Sequence, residues 1–146
     1  MSPPRDPAAL ARACAEAMWA EDKSSPGLGM RLDEIGPGRA VLSMEIEARM
    51  VNGHGICHGG FIFALADSAM AFASNSHGER AVAQHCAITY LRPGRLGERL
   101  RAEAVEIHRA GRSGMTDVRV TGGDGAVLAE FRGHTRLSGG KFFPEE

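Results

Sequence analysis

Two features in the middle of the chain have residue types that could do chemistry. The first is Asp67, inside the otherwise almost wholly apolar run Phe61-Ile62-Phe63-Ala64-Leu65-Ala66-Asp67-Ser68-Ala69-Met70-Ala71-Phe72. An ionised carboxylate buried without partners is costly, so such a residue is usually paired or functional. The plain alternative is an aspartate on the one exposed edge of a helix. The second feature is His58-Gly59-Gly60, just ahead of that run. Free backbone N–H groups at a helix start favour negative charge, and glycine lets a ligand approach the main chain closely. An oxyanion pocket for an acyl carbonyl needs both properties. Alternatively, the glycines only permit a sharp turn into the helix.

The spacing sharpens the pair into one statement. Gly59 and Asp67 are eight residues apart, which is roughly 12 Å of rise at about 1.5 Å per residue on one helix. Carboxylate and helix-end amides of one chain therefore do not meet at one carbonyl. If both act on one substrate, Asp67 comes from a second chain, and a two-fold dimer supplies such a site twice.

Other groupings are weaker. Cys57-His58 offers a thiol and a base, but sequence neighbours rarely have the geometry of a nucleophile pair, and Cys57 reads better as a small buried filler. His54, Cys57, His58 and His85 contain metal-ligand types, yet no His-x-Glu or paired Cys-x-x-Cys accompanies them, so no metal is expected. Arg109, Arg112 and Ser113 are candidates for binding the phosphates of a coenzyme, since Arg pairs with phosphate in a bidentate way. Solvated turn charges are the competing reading, and Arg92 and Arg95 share the ambiguity.

These residues need elements to hold them. Asp6-Pro7 reads as an N-cap and first helical residue, with Leu10, Cys14 and Met18 spaced by four, so a short helix runs to about Asp22 and a turn follows at 24–27. From Leu28 the pattern turns to strands. A weak one is followed by Gly36-Pro37-Gly38. The next, with Ala40, Leu42, Met44 and Ile46 alternating, reads as half-buried, and the two make a hairpin. The run from Phe61 is apolar on every face, so it predicts a buried central helix over about 59–76, stopped near Gly78. Only strands follow: 82–91, 100–109 with a phase slip that signals a bulge, 115–121 and 127–137, with a loose tail from Ser138. Strands in a run around one apolar helix define an α+β domain, a curved, mainly antiparallel sheet wrapped round the helix.

The run Asn52-Gly53-His54, Cys57-His58-Gly59-Gly60, Leu65-Ala66-Asp67-Ser68-Ala69 and Asn75-Ser76-x-Gly78 resembles the hotdog-fold acyl-CoA thioesterases of the PaaI (phenylacetate-degradation) type. Ile88-Thr89-Tyr90-Leu91-Arg92-Pro93-Gly94 and Phe131-Arg132-Gly133 extend the likeness, which covers about residues 28 to 137. The resemblance implies that Asp67 is the catalytic carboxylate, as nucleophile or as base for water. It implies that Gly59, with Gly60 beside it, polarises the thioester carbonyl, and that Asn52 and His58 line the site. Ser68 and Phe61 are then substrate-side candidates, Phe61 and Phe63 being bulky enough to reshape the acyl pocket. It further implies homodimers paired into a homotetramer, acyl-CoA substrates such as hydroxyphenylacetyl-CoA, and no metal or organic cofactor. A hotdog hydratase would pair Asp or Glu with His at a different spacing, and an acyl-CoA sensor would carry an added effector segment.

Composition agrees with one ordinary globular domain over 1–146: hydrophobic residues are 43% and charged residues 24% of the chain. A net charge of −1 gives no reason to expect nucleic acid or an anionic membrane. Three cysteines without paired spacing argue against a disulfide scaffold. No secretory pattern or membrane-length apolar run is seen, so the cytoplasm is the expected location.

Overall fold

The structure is a computed structural model and describes residues 2–144. Helix α1 spans Pro7–Glu21. Asp6 caps it through a 2.9 Å bond accepted from the Ala9 N–H, and Pro7 opens the first turn. The segment expected as a turn is a single helical turn, α2, Ser24–Gly27. The strands are β1 Arg31–Gly36, β2 Arg39–Glu45, β3 Glu79–Tyr90, β4 Arg99–Ala110, β5 Ser113–Thr121 and β6 Val127–Lys141, and the long helix α3 is Gly59–Ser74.

The strands form one six-stranded sheet in the order β1-β2-β4-β5-β6-β3, every pair antiparallel. Alternate residues of each strand point to the same face, and that face closes round α3. Ile62, Leu65, Ala66, Ala69, Met70 and Phe72 on α3 are buried against Leu42, Met44, Leu100, Val118, Val120 and Phe131. This is the hotdog arrangement. The alanines keep the helix slim. Sheet and helix also meet at Gly133 on β6, where any Cβ would collide with the Met70 sulfur.

Three details differ from expectation. Strand β2 is buried on both faces, because Val41 and Ser43 are covered too. Their cross-strand neighbours are Glu34, Arg31, Glu103 and Arg101, and such long side chains shield a surface with their apolar stems. Residues 138–141, expected to be loose, continue β6, with Lys141 opposite Glu79. The central helix stops at Ser74. The Asn75 side chain donates to the Ala71 carbonyl (2.8 Å) and accepts from the Ala81 N–H (2.8 Å). Ser76 donates to the Ala73 carbonyl (2.7 Å) and accepts from the Gly38 N–H (2.8 Å), so the helix end is pinned to the β1–β2 turn. The expected bulge in β4 falls between Glu106 and His108.

Candidate active site

The start of α3 is built by the loop before it. The Asn52 carboxamide oxygen accepts from the His54 N–H at 2.9 Å and, at 3.4 Å, from the Ile56 N–H, and Gly55 takes φ +77° to close the turn. The Cys57 N–H donates to the Gly94 carbonyl and the His58 N–H to the Met50 carbonyl, each at 2.8 Å. His58 is thereby held as the N-cap of α3, and its Nδ1 accepts from the Gly60 N–H at 2.9 Å. The Gly60 amide is thus occupied, and the paired-amide pocket expected from the sequence narrows to one donor. The Gly59 N–H has no partner among the described residues.

Gly59 lines a pocket of about 420 Å³, together with Asn52, Ile56, Cys57, Ile62, Tyr90 and Leu91 among others. The size suits a small organic ligand and the lining is mostly apolar. Tyr90 closes over Gly59, with its hydroxyl donating to the Gly59 carbonyl at 2.8 Å. A Cβ on Gly59 would come within 2.8 Å of the Tyr90 ring, so only glycine fits there. Burial pushes up the Cys57 thiol, which disfavours the thiolate and leaves Cys57 as packing in the pocket wall.

Asp67 is half-buried on α3 and does not line that pocket. No hydrogen bond or ion pair reaches its carboxylate among the described residues, and burial raises its pKa above the ordinary aspartate value. The Cys86 thiol on β3 is raised first by burial and then by the Asp67 charge. β3 pairs only with β6 and forms one edge of the sheet. Asp67 is therefore near the open-edge strand, and about 12 Å along the helix from Gly59.

Other sequence candidates fall elsewhere. Ser25 donates to the Asp22 carboxylate at 2.6 Å, so the Ser68 hydroxyl, 3.0 Å away, donates to Ser25. Ser68 thus ties α3 to α2, and its expected role toward substrate is not supported by this contact. Phe61 packs edge-on against the His58 ring with centroids 6.2 Å apart, and Ile62 lines the pocket in its place. Arg109, Arg112 and Ser113 gather with Ser74 at the far end of α3, roughly 22 Å from Gly59 at about 1.5 Å per residue. Arg109 there lies 3.7 Å from Glu79 and 3.8 Å from Glu106. Within one chain, then, these three do not reach the pocket. His85 lies beside His134, with ring centroids 5.7 Å apart, and no three His, Cys, Asp or Glu converge on a metal-sized space among the described residues.

Tyr90, Ile62 and Cys86 were not singled out from sequence. Ile62 lies on α3, whereas the place of the other two depends on the register of β3 against β6, where Tyr90 lies opposite Ala129 and Cys86 opposite Gly133. The signal available was indirect: a glycine that opens a helix often marks a close approach by something else.

A lone apolar helix wrapped by an antiparallel sheet, with an unpartnered amide at its start and a desolvated carboxylate two turns on, defines a hotdog hydrolase. The chain belongs to the thioesterase superfamily, whose model matches residues 54–129. It is 40% identical over 126 residues to the Escherichia coli acyl-coenzyme A thioesterase PaaI, covering 86% of this chain and 90% of that one. The structure of the E. coli PaaI protein superposes with a TM-score of 0.91 at 38% identity, over 93% of this chain and 99% of that one. A Thermus thermophilus PaaI structure gives 0.77 at 40% identity, over 80% and 99%. A Streptococcus mutans protein bound to acetyl CoA gives 0.74 at 27% identity, over 77% and 90%.

Proposed function

We propose that this enzyme hydrolyses acyl-CoA thioesters, aryl-acyl ones of the hydroxyphenylacetyl type included, at sites shared between two copies of the chain. The observation that carries this reading is the unpartnered Gly59 N–H on a residue that lines an apolar pocket, with the unpartnered Asp67 carboxylate about 12 Å further along α3. The acyl group occupies the apolar lining. The thioester oxygen accepts from the Gly59 N–H, and this bond strengthens as charge builds on the oxygen. Asp67 of the other copy takes a proton from water as the water oxygen bonds to the carbonyl carbon. The tetrahedral intermediate then collapses, the C–S bond breaks, and the CoA thiolate leaves and is protonated. A raised pKa makes Asp67 a stronger base for this step. Direct attack by the carboxylate, giving a mixed anhydride, is the other route the geometry serves.

Dimerisation rests on β3. It is a twelve-residue edge strand with an unpaired side; Val82 within it and Leu91 just beyond its C-terminal end are 56% and 57% exposed. Long apolar edges invite strand pairing. Antiparallel pairing of β3 with its copy across a two-fold axis covers these residues and brings each Asp67 toward the other chain. The resemblance extends this to dimers paired into a tetramer; the chain's length suits a single functional domain, and the cytoplasm is its proposed location. No helix of the described residues is long and apolar enough to cross a membrane.

The test is free-thiol release from a panel of aryl- and fatty-acyl-CoAs. Wild type releases thiol and Asp67→Ala loses most of the turnover. A folded wild-type protein that cleaves no thioester refutes the activity, and a fully active Asp67→Ala refutes the site.

A further inference from the structure

The geometry points to Tyr90 as a positioning residue that fixes the Gly59 amide for catalysis; this rests on the reading of Gly59 as the oxyanion donor. Gly59 and Gly60 open α3, and a glycine pair at a helix start has more backbone freedom than any other. An amide that must meet a developing oxyanion cannot be left with that freedom, because the benefit depends on preorganisation. Two contacts remove it. On one side, the His58 ring holds the Gly60 N–H at 2.9 Å. On the other, the Tyr90 hydroxyl holds the Gly59 carbonyl at 2.8 Å. Between them the Gly59–Gly60 peptide is gripped at both its oxygen and its nitrogen, and the donor N–H, on the preceding His58–Gly59 peptide, is joined to it through the Gly59 Cα. The Tyr90 ring also lies over the Gly59 Cα so closely that a Cβ would come within 2.8 Å of Cζ and 3.0 Å of the hydroxyl oxygen. The ring thus packs against the Gly59 Cα and limits its movement.

Its origin adds a second property. Tyr90 ends β3, the edge strand that is free to pair with another copy. One side chain therefore connects the amide at the helix start to the strand that faces the partner. Order imposed on β3 by pairing passes through the ring to Gly59. The hydroxyl need not touch substrate for this; it acts through the main chain of Gly59.

The test compares Tyr90→Phe with wild type and with Asp67→Asn. Phenylalanine keeps the ring and removes only the hydroxyl. The expected result is a fall in kcat of about 2- to 12-fold, the range one net hydrogen bond supplies. KM stays within about twofold because the pocket wall is retained, and the melting temperature and oligomeric state match wild type. Unchanged kcat overturns the inference. A loss of kcat that tracks a loss of folded dimer also overturns it, since the role would then be structural. If Asp67→Asn is inactive while Tyr90→Phe is untouched, only this inference fails. If wild type cleaves no thioester, the Gly59 reading falls and this inference falls with it.

Discussion

Replacing Asp67 by asparagine should move activity and stability in opposite directions. The carboxylate is half-buried and, among the described residues, has no hydrogen-bond or ion-pair partner, so desolvation alone sets its pKa, and sets it upward. A carboxyl whose folded pKa lies above its unfolded value stabilises the fold only where it is protonated. That contribution is complete below the unfolded pKa and is lost as pH rises through the folded one. At neutral pH the wild-type protein therefore carries the full desolvation cost of a charge, and the neutral, isosteric asparagine removes it. Asp67→Asn should melt higher than wild type at pH 7, and the two curves should converge as pH falls below the aspartate range. Activity should respond the other way. A positioned general base contributes typically about 10²- to 10⁴-fold, and that factor should disappear from kcat. For wild type, the acid limb of kcat/KM should lie above the ordinary aspartate value of 3.8. The assays are thermal melts across pH and thiol release on one preparation. An inactive variant that melts lower than wild type at pH 7 would refute the reasoning, because the carboxylate would then be a structural anchor.

Val82 lies on β3, outside the pocket, and is 56% exposed; Val82→Lys on the edge strand should shift the protein toward monomer and abolish turnover, as sedimentation and thiol release would show. Gly133→Val places a branched side chain against the Met70 sulfur and should cost about 1–3 kcal/mol, read from denaturant unfolding, as overpacked cores do. Ser68→Ala removes the hydroxyl bonded to Ser25; it should cost about 0.5–1.5 kcal/mol of stability and leave KM unchanged in steady-state kinetics. Tyr90 is the single tyrosine of the chain, and burial, then the nearby Cys57, raises its pKa above 10.0. An alkaline ultraviolet titration should therefore show one phenol ionising later than free tyrosine.

What could be read from sequence and what could not divide along one physical line. Local grammar was legible at the chain start, where Asp6-Pro7 opens α1, because caps depend on a few adjacent residues; the stop expected at Gly78 fell earlier, since Asn75 caps α3 after Ser74. The apolar girth of α3 was legible too, and with only strands after it the wrapped architecture followed. Contacts between elements were not. Nothing in the order of residues says that Ser68 will meet Ser25, that Val41 and Ser43 will be roofed by charged neighbours, or that Arg109 will pair with Glu79 at the end of α3 away from Gly59. Each needs the strand register, which is set by the whole sheet. His58 shows the consequence for chemistry. Its neighbourhood was correctly read as a helix start, yet its ring takes the Gly60 N–H and reduces two prospective oxyanion donors to one. A single donor at the start of a glycine pair gains from a brace, and the brace comes from Tyr90, thirty-one residues further along the chain. The sheet edge that carries this brace is also an open edge, so under the proposed reading the same strand would order the donor and recruit the carboxylate. In the proposed dimer, the eight-residue spacing on α3 is met by a second chain, and β3, an edge strand with exposed Val82, is the surface through which that chain would pair.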